Sequence, residues 1–268
     1  MSSSTSSGAR STAAKPVAPP GSQPVLRAQH LSKSYHSPVL RDLDVGIELG
    51  QFVAIMGPSG SGKSTLLHCL SGMDRPSAGS VLLGDTEITT MSEKELAALR
   101  LTRFGFVFQQ AHLMTTLCLL DNIVLPGFLA GLRPRPEITA RGEELMESMG
   151  IADLAASGVT EVSGGQLQRA GICRALINDP GIVFADEPTG ALNSTTALQI
   201  LDLLGQVHAS GTTLVMVTHD AQVAARADRV LVLVDGRIEE DLALGRYREA
   251  EAPSRLTTVT EALQRRSV

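Results

Sequence analysis

Cysteine is scarce and unpaired. Cys69, Cys118 and Cys173 are the three in 268 residues, and no two form a C-x-x-C pair. An odd count without that spacing argues against a disulfide framework or a zinc site and fits a reducing compartment. All three read as small buried hydrophobes. Positive charge is not in excess either. There are 23 Lys and Arg against 28 Asp and Glu, for a formal net charge of -5 and a pI of about 5.7. General nucleic-acid binders are more often basic, so that class loses weight. Long apolar runs are also missing. The most apolar long stretch, residues 113–132, carries Asp121, Asn122 and Pro126 near its middle, which argues against a lone transmembrane helix. Work at a membrane would therefore need spanning helices from another chain. Residues 1–24 show no apolar core of a secretory signal. No internal repeat and no heptad run is visible.

What is present reads as an ordinary globular chain, 43% apolar and 19% charged, long enough for one domain with a sub-domain. Residues 1–24 are rich in Ser, Ala, Pro and Gly and are expected to form a disordered arm, because they bury too little apolar surface to offset ordering entropy. The folded part is expected from Val25 to about residue 240. Short strands are predicted around 25–31, 44–49, 52–56 and 80–84, punctuated by Gly50 and Gly57-Pro58. Ser92 and Glu95 have capping-box spacing ahead of Leu96, Leu99 and Leu101. Further helices are predicted around 119–131, around 137–149 up to Gly150, and from about Gly165 to before Pro180. Strands return at Ile182–Asp186, Thr213–Thr218 and Val230–Val234, the last running into the hairpin signal Asp235-Gly236. Residues 241–268 form a charged tail of helical character with no nameable site. The order implies an α/β nucleotide-binding core interrupted by a helical sub-domain at about 91–178.

The most specific pattern is Gly57-Pro58-Ser59-Gly60-Ser61-Gly62-Lys63-Ser64, which meets G-x-x-x-x-G-K-[ST] at every fixed position. An apolar strand, Phe52 to Met56, precedes it, and a helical run from Thr65 to Leu70 follows. Glycines let backbone N–H groups turn inward around a phosphate, and the helix N-terminus adds its positive dipole end. Lys63 is placed to reach the β and γ phosphates of a nucleotide, and the Ser64 hydroxyl to bind Mg²⁺. A second apolar strand, Ile182 to Ala185, ends in Asp186-Glu187. In a phosphate-loop protein such a strand is the Walker B element. Asp186 would hold Mg²⁺ through its water shell, and Glu187 would polarise the water that attacks the γ-phosphate.

Val162-Ser163-Gly164-Gly165-Gln166, between those two elements and ahead of a helix, resembles the signature of the ABC (ATP-binding cassette) family. By itself the run is a second anion site made of a hydroxyl, glycine amides and a helix N-terminus. The resemblance implies more: Ser163, Gly164, Gly165 and Gln166 would close on ATP held by a second subunit, so that two chains sandwich two nucleotides. The family usually has Leu where Val162 stands. Other positions then follow in family order. Tyr35 looks like the ring that stacks on adenine, and Thr65 joins the phosphate-binding set. Gln109, in Phe108-Gln109, resembles the residue that senses Mg²⁺ and the attacking water. His219, in Thr218-His219-Asp220, resembles the switch histidine. Gly190-Ala191-Leu192-Asn193 occupies the D-loop, with Asn193 where Asp is usual.

The resemblance covers about residues 25–240. It implies a RecA-like P-loop NTPase core with an antiparallel β sub-domain and an inserted α-helical sub-domain. Phe104 to Gln109, Asn122 to Pro126 and Ala185 to Gly190 are similar to a group that includes macrolide exporters, lipoprotein-release systems and antimicrobial-peptide exporters. Membership there implies an ATPase using ATP and Mg²⁺, a likeness of partner to FtsX-like permease subunits, a second nucleotide-binding subunit, and a place at the cytoplasmic face of the membrane. Nucleic acid is not an expected partner. A soluble ABC ATPase of the iron–sulfur scaffold type, or one remodelling nucleic acid or ribosomes, is the alternative.

Overall fold

The computed structural model describes residues 24–265. The arm expected at 1–24 thus lies outside the described residues, save for Pro24. The chain opens with β1 (Leu26–Ser34), β2 (Pro38–Ile47) and β3 (Phe52–Met56), then α1 (Lys63–Leu70), β4 (Ala78–Leu83) and β5 (Thr86–Glu87). Next come α2 (Glu93–Arg103), β6 (Phe104–Phe108), α3 (Leu119–Ala130), α4 (Arg135–Ser148) and α5 (Gly164–Leu176). The remainder is β7 (Ile182–Asp186), α6 (Ser194–Ala209), β8 (Thr213–Val217), α7 (Ala221–Ala224), β9 (Arg229–Val234), β10 (Arg237–Ala243) and α8 (Ala252–Arg265).

The strands form two sheets. One has four antiparallel strands in the order β2-β1-β4-β5; the other has six in the order β10-β9-β3-β8-β7-β6. Pairing in the second sheet is parallel from β9 to β6, and only β10 runs antiparallel, across the Asp235-Gly236 turn. Every residue of β3 and β8 is buried, as expected for strands covered on both faces. Alternation then sorts the side chains. Val53 and Ile55 face a core shared with Leu66 and Leu70 of α1 and with the four-stranded sheet. Phe52, Ala54 and Met56 face the other core, filled from α3, α4, α5 and α6.

Parallel register places the chemistry. Ile55 pairs with Val217, Val217 with Asp186, and Asp186 with Phe108. The residues that follow these strand ends, Gly57, Thr218, Glu187 and Gln109, therefore leave the sheet along one edge. This carboxyl edge is where open α/β sheets bind ligands.

Several expectations change in detail. The 91–178 stretch is not purely helical: Phe104–Phe108 is a strand on the end of the large sheet, and it starts directly after α2 without a break. Its phenylalanines explain the preference. Phe104 and Phe106 meet Phe184 of β7 at centroid distances of 5.1 and 5.8 Å, a cross-strand contact unavailable to a helix. Cys118 is not a buried hydrophobe. It is partly exposed, and its sulfur accepts the Asp121 N–H at 3.4 Å as the cap of α3. Cys69 and Cys173 are buried, and burial pushes both thiols up to about 12.

Asn122, buried in α3, nails down the loop ahead of that helix. Its Oδ1 accepts from Met114 N at 2.6 Å, while its Nδ2 donates to the carbonyls of Met114, Leu117 and Cys118. Between residues 241 and 265 the tail is also structured. β10 runs to Ala243, and α8 buries Val259 and Ala262 against the body. No helix among the described residues is long and apolar enough to cross a membrane.

Candidate functional site

The turn after β3 is shaped by glycines that could not be replaced in place. Gly57 has φ 145°, and a Cβ there would lie 1.9 Å from the Leu233 carbonyl oxygen. Gly62 has φ 102°, and a Cβ there would press on Leu40 at 2.9 Å. Both positions favour glycine on backbone grounds as well. Lys63, buried at the start of α1, donates to the carbonyls of Gly57 at 3.0 Å and Pro58 at 2.8 Å. Burial lowers its pKa, while Glu187 and Asp186 pull the other way. Ser61 Oγ is buried without a hydrogen-bond partner. An orphaned hydroxyl and a lysine folded back onto its own loop, at a helix N-terminus, fit a bound phosphate chain. The cavity over them has a volume of about 530 Å³ and is lined by Ser59, Gly60, Lys63, Ser64, Thr65, Glu187 and His219, among others.

Glu187 lines this cavity, and Asp186 is joined to it through Ser64. Ser64 Oγ donates to Asp186 Oδ1 at 3.0 Å, which brings two hard oxygen donors together, and the other Asp186 oxygen lies 3.9 Å from His68 Nε2. Few protein ligands suit Mg²⁺, which keeps several waters and shares nucleotide phosphates. Glu187 takes a left-handed backbone, φ 45°, rare for a residue with a side chain. Its N–H donates to Val217 O at 3.0 Å and its carbonyl accepts from Gly190 N at 3.0 Å. This tight turn aims the carboxylate along the sheet edge, where Oε2 lies 3.2 Å from His219 Nδ1. Gly190 leaves room for the arrangement, since a Cβ there would meet Gln109 Nε2 at 3.0 Å and Glu187 Oε2 at 3.3 Å. Gln109 is held by its neighbours: Gln168 donates to Phe108 O at 2.8 Å and Arg174 to Ala111 O at 2.6 Å.

Gln109 lines a neighbouring pocket with Gly164, and two further groups of expected site residues also lie outside this cavity lining. Ser163, Gly164, Gly165 and Gln166 do not line it. They form the N-terminus of α5, with a capping box in which Ser163 Oγ accepts from Gln166 N and Gln166 Oε1 from Ser163 N. Gly165 lets this turn lie against Thr196 of α6, where a Cβ would come within 2.5 Å. Asn193 caps α6 by accepting from Thr196 N at 2.9 Å, so the Asn found in place of Asp keeps a cap that either side chain can make. Tyr35 also lies outside the cavity lining. The phenol donates to Asp74 Oδ2 at 2.5 Å, and this bond, with burial, raises its pKa. Sequence reading gave no role to His68 or Asp74. Long-range contacts, and not a local pattern, bring them to the site.

Comparison with known proteins agrees with this geometry. The model of a family described as ABC transporter matches residues 40–190, more than half of the chain. The chain belongs to the ABC transporter family. Among curated members, the macrolide export ATP-binding/permease protein MacB 1/2 of Paracoccus denitrificans is 44% identical over 227 residues, covering 83% of this chain and 34% of the relative. MacB of Rhodopseudomonas palustris (strain BisB18) is 46% identical over 218 residues, covering 81% of this chain and 33% of the relative. The chain thus spans about a third of the length of these relatives. The ATP-binding cassette MJ0796, solved as a dimer in a post-hydrolysis state with ADP and Pi, superposes with a TM-score of 0.76 at 35% identity, over 83% of this chain and all of that one. cbiO1 from Clostridium perfringens, part of the ABC transporter complex cbiONQ, superposes with a TM-score of 0.76 at 27% identity, over 91% of this chain and 97% of that one. As an ABC transporter cassette, the chain is an ATP-binding subunit and an ATPase.

Proposed function

We propose that two copies of this chain bind two ATP molecules head to tail and that closure of the pair drives a separate membrane-spanning subunit. The observation that supports this is the split of the site. Phosphate loop, Glu187 and His219 share one cavity, while the Ser163 turn is exposed, preorganised and outside that lining. One chain therefore carries two half-sites that a second copy completes. Ser64 and Asp186, with Gln109 nearby, would hold Mg²⁺, which would offset phosphate charge. Glu187 would accept the proton of the water that attacks the γ phosphorus, and the bond to the β–γ bridging oxygen breaks to give ADP and phosphate. His219 would steady that carboxylate and the γ-phosphate. ATP shifts the equilibrium because only the closed pair offers it both half-sites.

The test uses Glu187→Gln, which retains ATP, analysed by light scattering with and without Mg-ATP. A dimer that forms only with nucleotide is expected. Adding Ser163→Arg should abolish the dimer while a single chain still binds ATP. A dimer that survives this change overturns the head-to-tail arrangement.

The membrane partner, by analogy with the export proteins named above and with FtsX-like permeases, would dock a helix beside the 109–122 loop, placing this chain at the cytoplasmic face. A groove there is lined by Arg100, Phe106, Phe108, His112, Pro126 and Arg174. Met114, in the 109–122 loop and 51% exposed, is the position to probe. Met114→Glu should abolish co-purification with a co-expressed permease subunit while leaving hydrolysis by the isolated chain intact. Unchanged co-purification would overturn the assignment.

A further inference from the structure

Lys33, on β1, is a charged side chain only 8% exposed. Burying an ammonium is costly unless it is fully partnered. All of its partners converge on one place. It donates to Asp74 Oδ1 at 2.6 Å and to Arg75 O at 2.6 Å, and it lies over the Tyr35 ring, 4.7 Å from the centroid. Asp74 spends its other oxygen on the Tyr35 hydroxyl at 2.5 Å. Burial works to raise the Asp74 carboxyl, but the bonds from Lys33 and Tyr35 outweigh it and hold the carboxyl below its ordinary value. The ring at the centre of this group is 59% exposed. A cation covers one side of it, the phenol is tethered, and the rest faces solvent.

The tether leads back to the phosphate loop. Met73 N and Asp74 N both donate to His68 O, at 2.9 and 3.1 Å, at the far end of the helix that begins with Lys63. The segment is held from the other side too, where Ser77 N donates to Ser32 O at 2.8 Å and Ser34 N to Ser77 Oγ at 3.0 Å. Ring and phosphate cradle are thus parts of one rigid unit.

We propose that Lys33 and Asp74 are positioning residues for the nucleotide base, holding the Tyr35 ring in one orientation with its open face presented for stacking. The proposal rests on the reading of Tyr35 as the base platform. A ring that turned freely would lose that freedom on each binding event, a penalty worth a factor of about two to ten in affinity. The bond to Asp74 removes it in advance. Lys33 adds a second effect: an ammonium against one face is attracted to the ring quadrupole and keeps a base off that side.

Calorimetric titration of the full chain with Mg-ATP, and with Mg-tripolyphosphate as a ligand without a base, tests this. Asp74→Ala and Tyr35→Phe should each weaken ATP binding about threefold, and Tyr35→Ala about tenfold or more. Because the first two remove the same bond, the double variant should be no weaker than either single one. Lys33→Met should behave like Asp74→Ala, and Asp74→Asn, which keeps shape and an acceptor, should recover part of the loss. Tripolyphosphate affinity should stay at the wild-type level throughout. An equal loss for tripolyphosphate in Asp74→Ala, or additive effects in the double variant, would overturn the proposal. So would wild-type ATP affinity in Asp74→Ala and Tyr35→Phe while Tyr35→Ala is weak, although the platform itself would then stand. Wild-type affinity in Tyr35→Ala would remove the platform and the proposal together.

Discussion

Glu187→Gln is expected to lower ATP turnover by about 10²- to 10⁴-fold, the usual worth of a positioned general base. Mg-ATP binding should remain at the wild-type level. Glutamine has nearly the same shape, so the turn built on Val217 O and Gly190 N is expected to persist. What changes is that the amide cannot take a proton from water. Its contact with His219 would become neutral in place of one across 3.2 Å from a carboxylate. Single-turnover measurement on purified protein, with binding measured separately, checks this. Turnover within tenfold of wild type would show that another group takes the proton, and His219→Ala in the same assay would identify it.

Arg255→Met is expected to cost roughly 3 kcal/mol of unfolding free energy, because several backbone carbonyls, two of them in buried bonds, lose a charged donor at once. Arg255 sits on α8 at 5% exposure. Its guanidinium donates to Ala225 O at 2.7 Å, Ala227 O at 2.5 Å, Leu244 O at 2.9 Å and Gly245 O at 3.1 Å. One side chain thereby ties α8 to the end of α7 and to the segment leaving β10. Methionine fills similar volume but offers no donor. Chemical denaturation gives the magnitude, and a change under 1 kcal/mol would mean that water satisfies these carbonyls. α7 follows His219 directly and is capped by Asp220, whose side chain accepts from Gln222 N. The brace therefore supports the segment that presents the histidine, and loosening it should be felt in turnover as well as in stability.

The sequence was most readable where one short segment contains its own explanation. The strand–glycine–lysine–helix run from Phe52 to Leu70 is such a segment, and β3, the loop and α1 lie on it. The Ser92/Glu95 capping box and the Asp235-Gly236 hairpin are others. β6 was hidden because α2 passes into it at Arg103-Phe104 without a turn residue, and only the cross-strand partner Phe184 favours an extended chain there. The helix at 194–209 is hard to see in the sequence because its cap, Asn193, also occupies a motif position. Arg255 resembles any surface arginine on paper; the carbonyls it serves come from two other segments. The Lys33–Asp74 pair bridges 41 positions, beyond the reach of any local pattern. At the site, the sequence motifs named residues, and strand register explains why they meet.

The placement of Lys63 has a kinetic consequence. Its ammonium bonds the Gly57 and Pro58 carbonyls, so the side chain acts as a clasp that ties the end of the loop to its start. An arriving phosphate need not gather a slack chain; it trades places with two carbonyl oxygens inside a nest already made. Capture should then run at a speed set by diffusion and charge, and differences in nucleotide affinity among variants of the loop should show mainly in how long the ligand stays.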